Sequence, residues 1–135
     1  MSLKKLAPIV ICVLIFFVSS FYTPAERADW NKDLATATAA RQRGEYSVAE
    51  TLYRQAIEAQ KRELGPENAE VAATLNNLAV LYQDQALYAQ AEPLYKSSLA
   101  IWTKSPGQEL QVAHCLNNLA ALHHDEHLDA AAAAD

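Results

Sequence analysis

Glycine and basic residues are scarce in this sequence. Three of its 135 residues are glycine and five are proline, which is too few for the many turns of an all-β fold or for a glycine-rich loop that holds phosphate groups. Eleven lysines and arginines stand against sixteen aspartates and glutamates, so the formal net charge is −5. No basic stretch of the kind that binds nucleic acid is present. These absences argue against an all-β fold, a phosphate-binding loop and a nucleic-acid partner.

Long apolar runs are also missing, except for one near the N-terminus. Thirteen apolar residues, 6–18, follow two lysines, which are the only charged side chains before Glu26. As a helix this run spans about 20 Å, against a bilayer core of about 30 Å. We interpret the segment 1–25 as a signal peptide cleaved after residue 20 or 25, or as an uncleaved anchor that uses residues 6–22. Both interpretations predict export: the rest of the chain is periplasmic, secreted or held at a membrane.

Cysteine is rare as well. Cys12 lies inside the apolar run, which continues past it, and this argues against a lipid-modified N-terminal cysteine. If the segment 1–25 is removed, Cys115 is the one cysteine left, so no intramolecular disulfide can form. Two interpretations of Cys115 stay open: a small apolar residue on a helix, or one half of an intermolecular disulfide in an oxidising compartment.

The rest of the sequence repeats with a period just over forty residues. Segments 71–87 and 112–128 are identical at ten of seventeen positions, at an offset of 41, and both contain Leu-Asn-Asn-Leu-Ala. At an offset of 42, five residues of segment 44–60 (Tyr, Ala, Glu, Leu and Tyr) recur in segment 86–102. A period of this length indicates stacked supersecondary units.

Each unit is predicted to contain two helices. The first helix of the middle unit, from about Glu70 to Gln85, carries an apolar stripe at positions i, i+3, i+4 and i+7. That stripe consists of Leu75, Leu78, Ala79 and Tyr82. The second helix, from about Leu87 to Thr103, repeats the same spacing. Its stripe consists of Ala91, Leu94, Tyr95 and Ser98.

This pattern resembles the tetratricopeptide repeat, in the longer-period variant found in kinesin light chains and their bacterial relatives. The resemblance rests on segment 71–82 (VAATLNNLAVLY) and segment 88–95 (YAQAEPLY), and it covers roughly residues 30–135. It implies an all-α fold: a short solenoid of antiparallel helix pairs, with about two and a half repeats, after an N-terminal hydrophobic helix. The predicted repeat domain is 26–135. Its units are about 30–71, 72–112 and an incomplete 113–135.

The outer units depart from the pattern. In the first helix of the first unit, Asp33, Thr36 and Ala40 occupy positions where leucine, leucine and tyrosine are expected, as in a capping repeat. In the third unit the chain is expected to stop inside the second helix. We therefore expect three leucines of the third unit to be exposed: Leu116, Leu119 and Leu122. This end is predicted to pair with a second copy or a partner, and a truncated, marginally stable product is the alternative.

The face of the first helices that the apolar stripe leaves free carries the candidate binding residues, because the resemblance implies that first helices line a concave groove. Asparagine donates and accepts hydrogen bonds, which suits the backbone of an extended peptide. The predicted groove residues are Ala73, Asn76, Val80, Gln83, Asp84, His114, Asn117 and His124. The same phase adds Ala121 and Asp125, and in the first unit Asn31, Leu34, Thr38, Arg41 and Gln42. Solvated helix positions are the alternative interpretation.

The segment from His123 to His127 is the one with most potential for metal chemistry. Its two end histidines are spaced i, i+4 and can hold a divalent metal from one helix face. With Glu126 they also match the inverted zincin pattern. A third ligand would have to come from elsewhere, and His123 aligns with the packing residue Tyr82. We therefore expect surface and packing histidines, no cofactor, and a metal site only as a weak alternative.

No catalytic arrangement emerges from the remaining residues. Ser97 and Ser98 lie on a predicted helix with no histidine near, and the acidic residues spread along helix faces. Two functions are predicted. The first is an exported or membrane-tethered, non-enzymatic adaptor that binds a peptide or a partner subunit in the groove. The second is a structural or oligomerising piece whose incomplete C-terminal repeat docks on another chain.

Overall fold

The computed structural model describes residues 29–134, and in that range the chain forms five α-helices and no strand. The helices are α1 (Trp30–Gln42), α2 (Tyr46–Leu64), α3 (Ala69–Gln83), α4 (Tyr88–Lys104) and α5 (Glu109–Ala134). The predicted all-α fold is confirmed for this part of the chain. The predicted signal peptide or anchor, residues 1–25, lies outside the described residues. Among the five helices, none combines the length and the apolar character needed to cross a bilayer.

Each helix packs on the next one along the chain, and α3 also contacts α5 directly. The links between helices are three or four residues long, so consecutive helices run antiparallel. Residues 29–134 therefore form two helix pairs, α1–α2 and α3–α4, followed by the single helix α5. This is the stacked arrangement of a helical repeat protein, in which each unit contacts its neighbours along the chain.

The turns inside the two pairs have the same backbone conformation. Gly44 has a φ of 77° and Ala86, at the equivalent position of the second pair, has a φ of 58°, so both lie in the left-handed region. In both turns the next residue donates its N–H to the carbonyl five residues earlier, at 2.9 Å. These bonds are those of a Schellman motif, which satisfies carbonyls left open at the end of the first helix.

The predicted bounds of the middle pair are close to those observed. α3 begins one residue earlier than predicted, because the Asn68 side chain accepts a hydrogen bond from the Glu70 N–H at 2.9 Å and so caps the helix. It ends at Gln83, two residues before the predicted end. The predicted unit boundaries, at 71/72 and 112/113, fall in the first turns of α3 and α5.

Small residues at the helix contacts build the core. In the two helix pairs the alanine of each stripe is fully buried: Ala37, Ala49, Ala79 and Ala91. Alanine at these positions lets two helix backbones approach closely, and the second-helix tyrosines Tyr53 and Tyr95 fill the remaining space. In α1, Ala40 occupies the position where tyrosine was expected, and it is also fully buried. The first helix pair therefore packs through smaller side chains than the second.

The expectation for the end of the third unit is wrong. No turn interrupts α5, which runs as one helix of 26 residues from Glu109 to Ala134. The position equivalent to Ala86 in this unit, at an offset of 42, is Leu128, and it is helical rather than left-handed. Alanines follow at 130–134, and alanine has the highest helix propensity of all residues. The described part of the third unit therefore consists of a first helix that simply continues.

The expected exposure of the three leucines in this unit is correct only in part. Leu116 is 50% exposed, but Leu119 is half-buried and Leu122 is completely buried. The reason is that α5 packs on α4 and also contacts α3, so its inner stripe joins the core that the first two pairs form. The exposed leucines of α5 are Leu110, Leu116 and Leu128.

Candidate partner-binding groove

The predicted groove residues lie along α3 and α5. Ala73, Asn76, Val80 and Gln83 are partly exposed on α3, and Asp84 is the exposed residue that ends it. His114, Asn117 and His124 are exposed on α5. We call this side of α1, α3 and α5, where side chains join one first helix to the next, the first-helix face. It is defined by the contacts of Arg41, Asn76, Gln83, Asp84, Asn118 and Asp125.

Two bonds of this face connect equivalent positions in successive first helices. Arg41 Nη1 on α1 donates to Asp84 Oδ2 after α3, at 2.6 Å. Gln83 Nε2 on α3 donates to Asp125 Oδ2 on α5, at 2.8 Å. The paired residues are 43 and 42 positions apart, so each last-turn side chain bonds a carboxylate one repeat further on. These bonds fix how one first helix lies against the next.

Tyrosine hydroxyls of the second helices hydrogen-bond to first-helix side chains, close to these bonds between repeats. Tyr95 OH donates to Gln83 Oε1 at 2.9 Å, so both ends of the Gln83 amide are hydrogen-bonded. In the first pair, the hydroxyls of Tyr53 and Thr38 share a hydrogen bond of 3.1 Å. Burial raises the pKa of Tyr95, so this phenol stays protonated and keeps its role as donor. Gln83, which was predicted as a free groove residue, is therefore a structural link in this structure.

Asn76 and Asn117 are not brought together as the repeat alignment suggested. Asn76 Oδ1 accepts a hydrogen bond of 3.3 Å from Asn118 Nδ2, whereas Asn117 is exposed and takes no part in this bond. The sequence prediction missed Asn118. A signal for it existed, because the repeated motif contains two adjacent asparagines, but the alignment at an offset of 41 selected the first one. The bonded pair follows an offset of 42 instead.

Three predicted groove residues keep their polar groups available. The side chains of His114, Asn117 and His124 are exposed and make no hydrogen bond within residues 29–134. The Asn76–Asn118 pair also retains capacity, since an amide pair joined by one bond still has donors and an acceptor free. The free polar groups of the first-helix face are thus concentrated on α5 and on the adjoining side of α3.

A charged triad recurs at each junction between a second helix and the following first helix. At the α2–α3 junction, Tyr82 OH donates to Glu50 Oε1 at 2.8 Å and Arg54 Nη2 donates to Tyr82 OH at 2.6 Å. At the α4–α5 junction the equivalent residues are His123, Glu92 and Lys96. There Lys96 Nζ lies 2.7 Å from Glu92 Oε1, but His123 Nε2 is 3.8 Å away from it. Histidine therefore leaves a looser contact than tyrosine does.

These triads affect the acidity of their carboxyl groups. The hydrogen bond from Tyr82 lowers the pKa of Glu50, and the ion pair with Lys96 lowers the pKa of Glu92. On the side of α4 that faces α5, Tyr88 OH donates to Asp129 Oδ2 at 2.6 Å. This bond to a carboxylate, together with the nearby acidic side chains of α5, raises the pKa of Tyr88 to about 12.

The histidine-rich segment of α5 does not form a complete ligand set. His123 and His127 are both exposed, and the nearest acidic atoms to His123 belong to Glu92 and Glu126, each at 3.8 Å. Across residues 29–134, no group of three or more histidine, cysteine, aspartate or glutamate side chains is arranged to hold a metal ion. The i, i+4 histidine pair stays a two-ligand site at most in this part of the chain.

Cys115 lies inside the core. Its side chain is fully buried, and Sγ donates a hydrogen bond to the Tyr95 carbonyl at 3.2 Å. Burial raises the pKa of the thiol to about 11, which suppresses the reactive thiolate. The structure thus favours the interpretation of Cys115 as a small packing residue over that of an intermolecular disulfide.

Comparison with known proteins agrees with this architecture. The profile of the tetratricopeptide repeat family matches residues 33–103 and 70–135. The crystal structure of BtubC (BKLC) from P. vanneervenii superposes with a TM-score of 0.70 and 28% sequence identity. That match covers 74% of this chain but 41% of BtubC, so the chain spans about two fifths of that relative. No curated protein matches the sequence. With two overlapping family matches that together cover most of its length, the chain belongs to the tetratricopeptide repeat family.

Proposed function

We propose that this protein is a non-enzymatic interaction module that binds a peptide segment or a partner subunit on its first-helix face. Tetratricopeptide repeats are generally protein–protein interaction modules, and their all-helical fold is generally non-enzymatic. The observation that carries the proposal is the contrast along this face. The side chains of Arg41, Gln83 and Asp84 hydrogen-bond to a neighbouring repeat. Those of His114, Asn117 and His124 have free polar groups.

The chemistry of these free groups suits an extended backbone. A peptide unit offers one N–H donor and one C=O acceptor, and the amide side chain of Asn117 can meet both. Asn76 and Asn118 lie beside it with capacity remaining after their mutual bond of 3.3 Å. Ala73 and Val80 supply small apolar surface on either side of Asn76 along α3. Three first helices form a short face, so we expect modest affinity.

The binding site is testable with a displayed library of random peptides, because no partner needs to be known. The double variant Asn76→Ala/Asn117→Ala is expected to lose binding of selected peptides by about tenfold or more. The matched control is Gln55→Ala/Gln90→Ala, which removes two exposed amides from second helices and is expected to bind as the unmodified chain does. Equal binding by both double variants, with unchanged helicity, would contradict a role for the first-helix face.

A second candidate function is docking through α5, as a structural or oligomerising piece. The observation that favours it is the exposure of Leu110, Leu116 and Leu128, which are 75%, 50% and 56% exposed on one helix. A contiguous exposed apolar surface marks an interaction site, and Leu116 lies between the exposed Ala113 and Ala120 on one side of α5. Loss of association on substituting Leu116, with peptide binding intact, would distinguish this function from groove binding.

We further propose that this protein is exported and that it belongs to a kinesin-light-chain-like subfamily of the tetratricopeptide repeats. Export is supported by the two lysines and the thirteen-residue apolar run at the N-terminus. The intact mass of the natural product distinguishes cleavage after residue 20 or 25 from a retained anchor. The subfamily is supported by segments 71–82 and 88–95 and by the repeat offsets of 41 and 42.

A further inference from the structure

α5 carries a copy of the α3 surface on which α4 lies. On α3 this surface is closed, with every member at most 9% exposed: Ala72, Leu75 and Ala79. At an offset of 41 the sequence again has alanine, leucine and alanine. These are Ala113, Leu116 and Ala120, which we call the open face of α5. All three residue types are identical, yet Leu116 is 50% exposed and both alanines are exposed.

The α3–α4 contact shows which kind of helix fits this surface. α4 places Ala91 and Tyr95 against α3, and both are completely buried. Ser98, one turn further on, donates to the Ala72 carbonyl at 2.7 Å, a buried hydrogen bond that fixes the register of the two helices. On α5 the carbonyl equivalent to that of Ala72 belongs to Ala113, which lies on the open face. A helix with alanine, tyrosine and serine at i, i+4 and i+7 therefore matches this surface.

We propose that the open face of α5 binds a helix of the α4 type supplied by a different protein. This inference rests on the second candidate function above, docking through α5, and it names the chemistry of the partner. The occupant is an amphipathic helix with a small residue at i, an aromatic residue at i+4 and a hydroxyl residue at i+7. It completes the third repeat as α4 completes the second.

A second copy of this chain is a poor source for that helix. Within the described residues, α4 meets this requirement at all three positions and α2 meets it at the first two, with Ala56 at i+7, and in both helices the matching residues are already in use. Ala49, Tyr53, Ala91 and Tyr95 are each at most 1% exposed. A second copy could offer one of them only by opening its own helix pair, which would expose an equal surface. A helix from another protein carries no such cost.

The charge of α5 adds a requirement on the partner. Residues 105–134 contain four carboxylates and no lysine or arginine. A helix that lies along α5 therefore meets a negative neighbour, and lysines at the edges of its apolar stripe favour binding. α4 itself has this character, since it carries Lys96 and Lys104 against the single carboxylate of Glu92. Binding is accordingly expected to weaken as salt is raised.

The test uses the full chain and a labelled synthetic peptide with the sequence of residues 87–105, which contains α4. The chain is expected to bind this peptide saturably, and Ala120→Glu is expected to weaken binding by about tenfold or more. The matched control is Ala133→Glu, which makes the same change at an exposed residue in the last turn of α5, away from both the open face and the first-helix face, and is expected to change binding by less than about twofold. Leu116→Gln serves as a second variant if Ala120→Glu lowers the helicity.

Each remaining result overturns the proposal. If Ala120→Glu and Leu116→Gln bind the peptide as well as the unmodified chain, the peptide is replacing α4 on α3 instead. If the peptide does not bind and the chain is a dimer that Ala120→Glu dissociates, the occupant is a second copy. If the peptide does not bind and the chain is a monomer, the open face takes no helix of this type. Groove binding, tested through Asn76 and Asn117, is independent of all three results.

Discussion

The two junctions between repeats occupy equivalent places in the fold but differ in side-chain chemistry. At the α2–α3 junction, Thr74 Oγ1 donates a buried hydrogen bond of 2.8 Å to Gln60 Oε1. At the α4–α5 junction the equivalent of Gln60, at an offset of 42, is Trp102, and the equivalent of Thr74, at an offset of 41, is Cys115. All four side chains are buried. The first junction is thus closed by a polar pair and the second by an apolar pair.

This difference shows that helix stacking here does not depend on one type of contact. Gln60 Nε2 is buried and has no hydrogen-bond partner in the described structure, so the polar solution leaves one donor unsatisfied. Trp102 and Cys115 bury apolar surface instead. Among the described residues, neither of them has a buried side-chain nitrogen or oxygen without a hydrogen-bond partner. A buried donor without a partner lowers the free energy of unfolding. The α2–α3 junction is therefore expected to contribute less stability, and a substitution there can raise it.

The largest effect is expected from Trp102→Ala. This side chain is 5% exposed, and removing a buried tryptophan leaves a cavity in the core. We expect the free energy of unfolding to fall by about 3–5 kcal/mol, measured by chemical denaturation. Trp30→Ala is the control, because Trp30 is partly exposed at the start of α1 and is expected to cost less. Equal losses in both variants would show that the α4–α5 junction is not closed by this side chain.

A second effect concerns Cys115 and alkaline pH. The folded state raises the thiol pKa from 9.0 to about 11, so the folded chain holds this proton more tightly than the unfolded chain does. Its contribution to stability is complete below pH 9 and is lost as the pH rises towards 11. Between these values the free energy of unfolding falls with each pH unit, because the unfolded chain releases the thiol proton first.

The measurement is the difference between the unmodified chain and Cys115→Ala as the pH rises from 8 to 10.5. The difference is needed because the pKa values of Tyr82, Tyr88 and Tyr95 are also raised and contribute to the same alkaline loss. Tyr82 and Tyr88 affect both chains alike, whereas the thiol, and its electrostatic effect on the pKa of Tyr95, are present only in the unmodified chain. Parallel pH profiles for the two chains would contradict burial of the thiol.

A smaller effect, of opposite sign, is expected from Gln60→Leu. The change removes the unpartnered Nε2, and the Thr74 hydroxyl keeps a hydrogen bond to the Glu70 carbonyl at 3.2 Å. We expect the chain to gain about 1 kcal/mol in thermal or chemical unfolding. Gln55→Leu, an exposed residue of the same helix, is the control and is expected to change stability by less than about 0.5 kcal/mol. A loss of stability in Gln60→Leu would show that the amide does have a partner.

The smallest effect is expected from His123→Tyr. This change gives the second junction the tyrosine of the first, where Tyr82 bonds Glu50 at 2.8 Å. Histidine lies 3.8 Å from Glu92, so a tyrosine that reaches this carboxylate adds a hydrogen bond worth about 0.5–1 kcal/mol. His127→Tyr, also exposed on α5, is the control for added aromatic surface. A similar change in both variants would mean that the triad contributes nothing.

Much of the fold could be predicted from the sequence, because helix periodicity and the repeat act at the same positions. Leu78, Ala79 and Tyr82 are spaced for one helix face and are buried as that spacing predicts. The continuation of α5 could not be predicted from the alignment. The alignment assumes a turn near position 128, and whether a turn forms depends on local propensity, which the alanines at 130–134 decide in favour of helix.

The candidate site was predicted less completely, and Asn118 shows why. Spacing tells which residues share a face of one helix, but not how far the next helix is shifted along its axis. The bonds from Asn76 to Asn118 and from Gln83 to Asp125 both follow an offset of 42, one more than the alignment of the first helices. A shift of one residue turns a helix side chain by about 100°, enough to exchange Asn117 for its neighbour.

The left-handed alanine in the second turn has a practical meaning for longer arrays. The first pair makes this turn with Gly44, which adopts the conformation without strain, while Ala86 adopts it at φ 58° even though a Cβ disfavours it by roughly 1–2 kcal/mol. The packing of the two helices, rather than the turn residue, therefore dictates the reversal of the chain. An engineer who joins several copies of the α3–α4 hairpin can place glycine at that position and relax each copy without redirecting it.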